Sequence, residues 1–452
     1  MTECSQESFH FAAHFSRRVE AGFTAGQVSS DGGALLLRET DRRIHLLGRL
    51  ASCFSDGRNP EQVEHTVAEM LAQRIYGLAL GYEDLCDHEQ LRADPVFSLL
   101  SGKRKLDEPL AGKSTLNRME LVGRSERYHK IGYAAESIDR LLSDLYIESH
   151  AAMPEQVVLD LDATDIPLYG HQPGRFFHGY YDSYCYLPLY IFAGDQLLCA
   201  RLRSSNQDAA AGSLDEVKRI VAQLRARWPE VKIVLRADSG FCREELMGWC
   251  ENSHVDYAFG LQRNQRLRRI IGKQMHEAHT LHQATGKAAR LFAGFDYRTH
   301  KSWSRPRRVI AKAEHLDKGE NPRFVVTSLT TDEWPAQQLY EKFYCARGEM
   351  ENRIKECQLD LFADRTSAAT MRANQLRLWF ASAAYVLLCA LRRIGLAHTQ
   401  FAATCGTIRL TLLKIGALVR ISVRRVTVAM ASACPCQHAF ALAHAMLRNA
   451  AA

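Results

Sequence analysis

The sequence predicts a mixed α/β fold: a mixed sheet with helices packed on it, carrying a β-rich insertion and flanked by an N-terminal helical domain and a C-terminal helical region. Two observations predict it. From Gln156 the helical spacing of apolar residues gives way to short aliphatic and aromatic runs, "VVLDLD", "YLPLYIFAG" and "QLLCARLRSS", joined by a turn-like "AGD". Helical and strand patterns then alternate, giving the order three strands, helix, strand, helix, strand.

Residues 1–150 read as mostly helical. "EHTVAEMLAQRIYGLALGYEDL" sets Val67, Met70, Leu71, Ile75 and Leu78 at three- and four-residue steps, which makes one apolar face. "AGKSTLNRMELVGR" reads as a helix opened by Ser114 or Thr115. Its "GKST" is not a phosphate loop, because the position five residues before Gly112 is Asp107 rather than glycine.

Residues 151–265 carry the first part of the sheet. After the three-strand meander, "GSLDEVKRIVAQLRARWPE" reads as a helix with a capping box from Ser213 and Glu216. "VKIVLRADSGF" is a buried-type strand, "REELMGWCENSH" a helix and "VDYAFGLQ" another strand. Residues 266–335 alternate apolar and polar positions and read as a small all-β insertion. A long helix follows over 336–365, and 366–452 reads as helical and basic.

The chain of 452 residues is long enough for two to four packed units, and 46% hydrophobic with 24% charged residues is the balance of a folded globular protein. A net charge of +7 says little by itself, but from Thr366 onward there are ten Lys or Arg and no Asp or Glu. With the clusters "RNQRLRRIIGK" and "KSWSRPRRVIAK", this distribution points toward nucleic acid, since neutralising phosphates needs many cations on a shared surface. Thirteen cysteines without a C-x-x-C pair read as free thiols in a reducing cytoplasm. No signal-like N-terminal pattern is present. The apolar run Leu378–Leu391 has fourteen residues, short for a bilayer and suited to a buried helix, so no membrane is expected.

Chemistry concentrates where strands end. "VVLDLD" finishes in Asp160 and Asp162, which strand alternation puts on one face, with Asp165 just beyond. "VKIVLRAD" finishes in Asp238, which would meet Asp162 if the two strands pair. Carboxylates this close repel unless a cation lies between them, and Mg2+ or Mn2+ prefers such an all-oxygen setting. On the long helix, Tyr344, Arg347 and Glu351 fall on one stripe about 60° wide, at about 100° per residue. That stripe can face a phosphate and a metal together. Turn aspartates and a solvated polar stripe are the plainer alternatives.

"LDLDATD", "LRADSGF" and "YCARGEMENRIK" together resemble the first, second and third acid motifs of bacterial insertion-sequence transposases of the DDE type, in the branch with a Y-R-E-K signature. "LRADPVF" and "LAGKSTLNRME" also resemble segments of that branch, so the resemblance covers most of the chain. Asp238 stands 76 positions after Asp162, and Glu351 stands 113 after Asp238.

The resemblance implies an RNase H-like catalytic core in which Asp162, Asp238 and Glu351 hold two divalent ions, Mg2+ or Mn2+. Asp162 is chosen over Asp160 because Ala163 and Thr164 follow it, as a small residue and a threonine follow the family's first acid. Asp160 and Asp165 become supporting acids. Tyr344 and Arg347 match the phosphate-orienting positions. The signature lysine position is occupied by Gln358, so Lys355, one turn earlier on the same stripe, is the expected replacement. Trp303, in the insertion, is the candidate for stacking on an extruded base.

The implied activity is cutting of element ends and joining of their 3′-hydroxyls to target DNA. Double-stranded DNA is the expected partner, with the N-terminal helices reading terminal inverted repeats, a homodimer assembling on DNA, and a cytoplasmic, nucleoid-associated site of action. The alternatives are an RNase H-like nuclease that cuts without joining and a non-catalytic DNA-binding repressor on the same fold.

Overall fold

Along the strand Gln156–Ala163, Val157, Leu159 and Leu161 alternate with Val158, Asp160 and Asp162, and this alternation organises the sheet. The computed structural model describes residues 8–121, 130–399 and 403–449. The chain divides into two units. One takes the residues up to Tyr133 with Asp360–Phe362 and the chain from Ala383, and the other takes Ala134–Leu359 and Ala363–Ser382.

The second unit is built on a nine-stranded sheet. Its strands are β1 (Gln156–Ala163), β2 (Leu189–Ala193), β3 (Gln196–Arg201), β4 (Lys232–Ala237), β5 (Asp256–Leu261), β6 (Ala289–Tyr297), β7 (Arg307–Leu316), β8 (Gly319–Glu320) and β9 (Arg323–Thr327). They lie in the order β3-β2-β1-β4-β5-β9-β7-β6, with β8 paired to β7. β1, β4 and β5 run parallel, and the remaining neighbours are antiparallel.

One face of the sheet packs Leu159, Leu161, Ile233 and Leu235 against Val217, Ile220 and Leu224 of the helix Ser213–Arg227, and against Leu246 and Met247 of the helix Glu244–Asn252. Each such side chain taken fully from water contributes about 1.5–3 kcal/mol. The other face packs Val234, Ala258 and Val325 against Leu339, Tyr340 and Phe343 of a helical segment that begins at Ala336. β4 is therefore buried on both faces from Ile233 to Ala237, which is why its sequence is apolar except at Arg236, whose charge is met by Asp160.

Three features differ from the sequence expectation. Residues 266–335 are not a separate all-β piece. They begin with the helices Gln265–Ile270 and Gly272–Thr285, and their strands extend the main sheet through the β5–β9 ladder. The alternating pattern specifies strands, but their partner lies far along the chain. The expected single long helix is composite: Ala336–Gln338, a wide π turn at Leu339–Tyr344, a tight 3₁₀ turn at Cys345–Arg347, the α-helix Gly348–Lys355 and a second π turn at Glu356–Asp360. The helix Ser213–Arg227 lacks the Ser213–Glu216 capping box. Gly212 precedes it, Ser213 Oγ donates to the Ala210 carbonyl, and Glu216 is held by Arg201 and Arg219.

In the other unit, the helix Val67–Ala79 forms as expected, opened by a capping box between Thr66 and Glu69. The helix Lys113–Glu120 starts after Gly112, without a side-chain cap from Ser114 or Thr115. Part of the region expected to be helical is β: Ala417–Ile421 and Val426–Met430 pair as a hairpin, and Val28–Ser29 joins them. The period-two pattern in "RISVRRVTVAM" is the signal for it. Segments from both ends of the chain thus share one unit. Helix Ala135–Glu148 belongs instead to the sheet unit, where Asp139 accepts from Arg201 at 2.6 Å and from Trp379 Nε1 at 3.1 Å. The apolar run from Leu378 lies within a longer helix, Met371–Gly395, which is long and apolar enough to cross a membrane by length and composition. Its most apolar stretch is 78% buried within the protein.

Candidate active site

The register between β1 and β4 sets Asp160 opposite Arg236 and Leu161 opposite Ala237, so Asp238 leaves its strand one step further on, beside Asp162. Asp238 turns the chain there, its Oδ1 accepting the Gly240 N–H at 2.8 Å as it caps the short turn Ser239–Phe241. Asp162 Oδ1 accepts the Ala163 N–H at 2.9 Å. Glu351 comes from the helix Gly348–Lys355 on the same side of the sheet. All three acids line one cleft of about 590 Å³, together with Arg347, Lys355 and Gln358.

The cleft is electrostatically loaded. Burial pushes the Asp162 carboxyl up to about 6; the Arg347 guanidinium opposes that shift, while Asp238 and Glu351 add to it. Arg347 answers the repulsion directly. Its Nη1 lies 3.1 Å from Asp162 Oδ2 and its Nη2 3.2 Å from Glu351 Oε1. Tyr344, three residues earlier, has its phenol pushed up to about 12, first by burial and then by Asp238 against the opposing Arg347.

Among the described residues, no three His, Cys, Asp or Glu side chains stand close enough together for a metal ligand set. The donor chemistry nevertheless suits a hard divalent cation: carboxylate oxygens gather on one cleft, where their mutual repulsion favours a positive charge between them. The place between Asp162 and Glu351 is taken by a guanidinium. Ligation by both would require Arg347 to release them.

The other expected residues divide sharply. Lys355 lines the cleft and has no carboxylate partner among the described residues, whereas the Gln358 amide donates to the Asp165 carbonyl at 3.3 Å. Asp165 does not line the cleft. Asp160 is 3% exposed and grips Arg236 at 2.6 and 2.8 Å, which makes it half of a buried ion pair. Tyr344 opens on an adjoining recess instead of the cleft. Trp303 is 5% exposed, with Tyr297 edge-on at 5.7 Å and Arg307 over its ring at 5.4 Å, so in this arrangement neither ring face is open to a base.

Two contributors were missed by the sequence reading. Tyr180 and Tyr181 line the cleft from the loop "HGYYDS", with Tyr180 84% exposed and Tyr181 donating to the Ala163 carbonyl. The aromatic density of that loop was the available signal. Gly260, at the end of β5, is the second. A Cβ there would come 2.6 Å from the Tyr344 hydroxyl and 2.8 Å from the Ser239 nitrogen, so only glycine lets the tyrosine and the Asp238 turn approach together.

No curated protein matches the chain. Among solved structures, the piggyBac transposase synaptic complex with hairpin DNA aligns over 85% of this chain and 79% of its own, at 10% identity and a TM-score of 0.41. Residues 11–452, nearly the whole chain, match the family described as Transposase DDE domain group 1. The protein carrying this acid-lined cleft therefore belongs to the DDE transposases of that group.

Proposed function

We propose that this protein cuts the ends of a bacterial insertion sequence and joins the freed 3′-hydroxyls to target DNA. The observation carrying the proposal is the convergence of Asp162, Asp238 and Glu351, from two parallel strands and a helix, on one cleft that also holds Arg347 and Lys355. The strand order β3-β2-β1-β4-β5, with a meander feeding a parallel trio, supports reading the core as RNase H-like.

A phosphodiester is anionic and resists an oxygen nucleophile, so catalysis depends on positioning and charge neutralisation. Two Mg2+ or Mn2+ ions, when bound, supply activation of the attacking oxygen and stabilisation of the leaving one. Asp162, Asp238 and Glu351 would hold them. Arg347, once released from the acids, and Lys355 would bind non-bridging oxygens of the phosphate, with Tyr344 setting the position of Arg347 from behind. This division of roles matches the Y-R-E-K branch, with Lys355 in place of the lysine expected at Gln358. The protein would act in the bacterial cytoplasm as a dimer on double-stranded DNA, since two element ends need two clefts.

The deciding experiment incubates purified protein with DNA carrying the flanking repeats, a target plasmid and Mg2+. Joined products that vanish in Asp238→Asn support the proposal. Cutting without joining would favour a nuclease, and binding with neither would favour a repressor.

A further inference from the structure

Beside the acid cleft lies a second recess of about 500 Å³, and the two meet at Asp238, Ser239 and Arg347. Its walls come from the end of the β5–β9 ladder, where Leu261 pairs with Phe324 and the chain leaves through Gln262 and Arg263 on one side and Arg323 on the other. Tyr344 closes the inner end.

Charge sets this recess apart. Three guanidinium groups, Arg263, Arg323 and Arg347, line it against one carboxylate, Asp238. Arg347 is committed to Asp162 and Glu351, but Arg263 and Arg323 have no carboxylate partner among the described residues. Other basic residues of this region are otherwise engaged. Arg307 is held by Glu244 and Glu251, Arg290 and Lys312 by Glu314, and Arg268 by Glu320. Arg308 donates to the Leu329, Thr330 and Trp334 carbonyls. Two unpaired planar donors facing a concave recess make an anion site, and their fork geometry suits phosphate oxygens.

We infer that this recess binds the phosphodiester backbone of a DNA strand whose neighbouring phosphate lies in the acid cleft, with Arg263 and Arg323 as the contacts. The inference rests on the DNA reading of the cleft. A strand is the favoured occupant because the recess continues the cleft past Asp238 and Arg347, so one chain of phosphates can run through both.

The test is fluorescence anisotropy of a labelled DNA duplex, without divalent metal, titrated at several salt concentrations. Wild type, Arg263→Gln/Arg323→Gln and the control Lys232→Gln, a cation held by Glu333 at the opposite end of β4 from Asp238, are compared after thermal melting confirms matched folding. Two lost phosphate contacts should lower the slope of log affinity against log salt by about 1.8, at about 0.9 per contact, and weaken binding at least several-fold. Lys232→Gln should track the wild type. A double variant whose slope and affinity match wild type overturns the recess assignment while leaving the DNA reading standing. Wild-type protein showing no salt-dependent DNA binding overturns both.

Discussion

Arg347 bridges two acids from different elements, with Nη1 3.1 Å from Asp162 on β1 and Nη2 3.2 Å from Glu351 one helical turn ahead of it. The guanidinium is a counter-charge shared by two of the three carboxylates that line the cleft. Arg347→Ala should therefore lower the melting temperature in EDTA, and Mg2+ should recover more stability in that variant than in wild type. A double-mutant cycle with Asp162→Asn should give a coupling of about 0.5–3 kcal/mol. Zero coupling by denaturant melts would mean the contact carries no energy.

Asp160 and Asp162 sit two residues apart, yet they should respond to mutation in opposite ways. Asp162→Asn should cost at least about a thousandfold in cleavage rate, about 4 kcal/mol of barrier, with the fold intact. Asp160→Ala strands the buried Arg236 and should cost about 3–5 kcal/mol of stability. Replacing both with apolar residues, Asp160→Leu/Arg236→Met, should restore part of it. Urea unfolding and a cleavage assay on the same preparations separate the two effects.

Lys355 should carry the phosphate contact that the signature lysine would otherwise make. Strand transfer is expected to fall at least tenfold in Lys355→Ala and to stay near wild type in Gln358→Ala, whose amide is tied to the Asp165 carbonyl. Equal losses, or a loss confined to the glutamine variant, would falsify the substitution of one lysine position by the other.

His88 gives a pH signature. Burial, and then the Arg74 guanidinium, push its imidazole down to about 3, and Arg74 donates to its Nε2 at 3.2 Å. Between pH 6.5 and 3 the unfolded chain takes up a proton that the folded chain refuses, so stability falls as pH drops through that window. The loss from this group should approach the order of 4 kcal/mol at the acid end. Thermal melts of His88→Gln should show a visibly flatter pH dependence.

The acids were legible because strand alternation and the chain's own motifs fix both the face and the position of Asp162 and Asp238. The stripe from Tyr344 to Lys355 was legible only in part. It assumed 100° per residue, but the π turn at Leu339–Tyr344 and the 3₁₀ turn at Cys345–Arg347 change the winding. Arg347, Glu351 and Lys355 still reach the cleft, while Tyr344 faces the adjoining recess. Asp160 looked like Asp162 in sequence, because nothing local reveals that Arg236, 76 residues away, would be its cross-strand partner. Trp303 was placed by its region, and its burial depends on Tyr297 and Arg307, which no local pattern specifies.

Gly260 has a mechanical consequence. The gap left by its missing side chain is shared by the Tyr344 phenol and the backbone that presents Asp238. A single methyl added there would act as a wedge, driving the helix and the aspartate turn apart in one movement. The cleft's shape thus depends on a residue with no chemistry of its own.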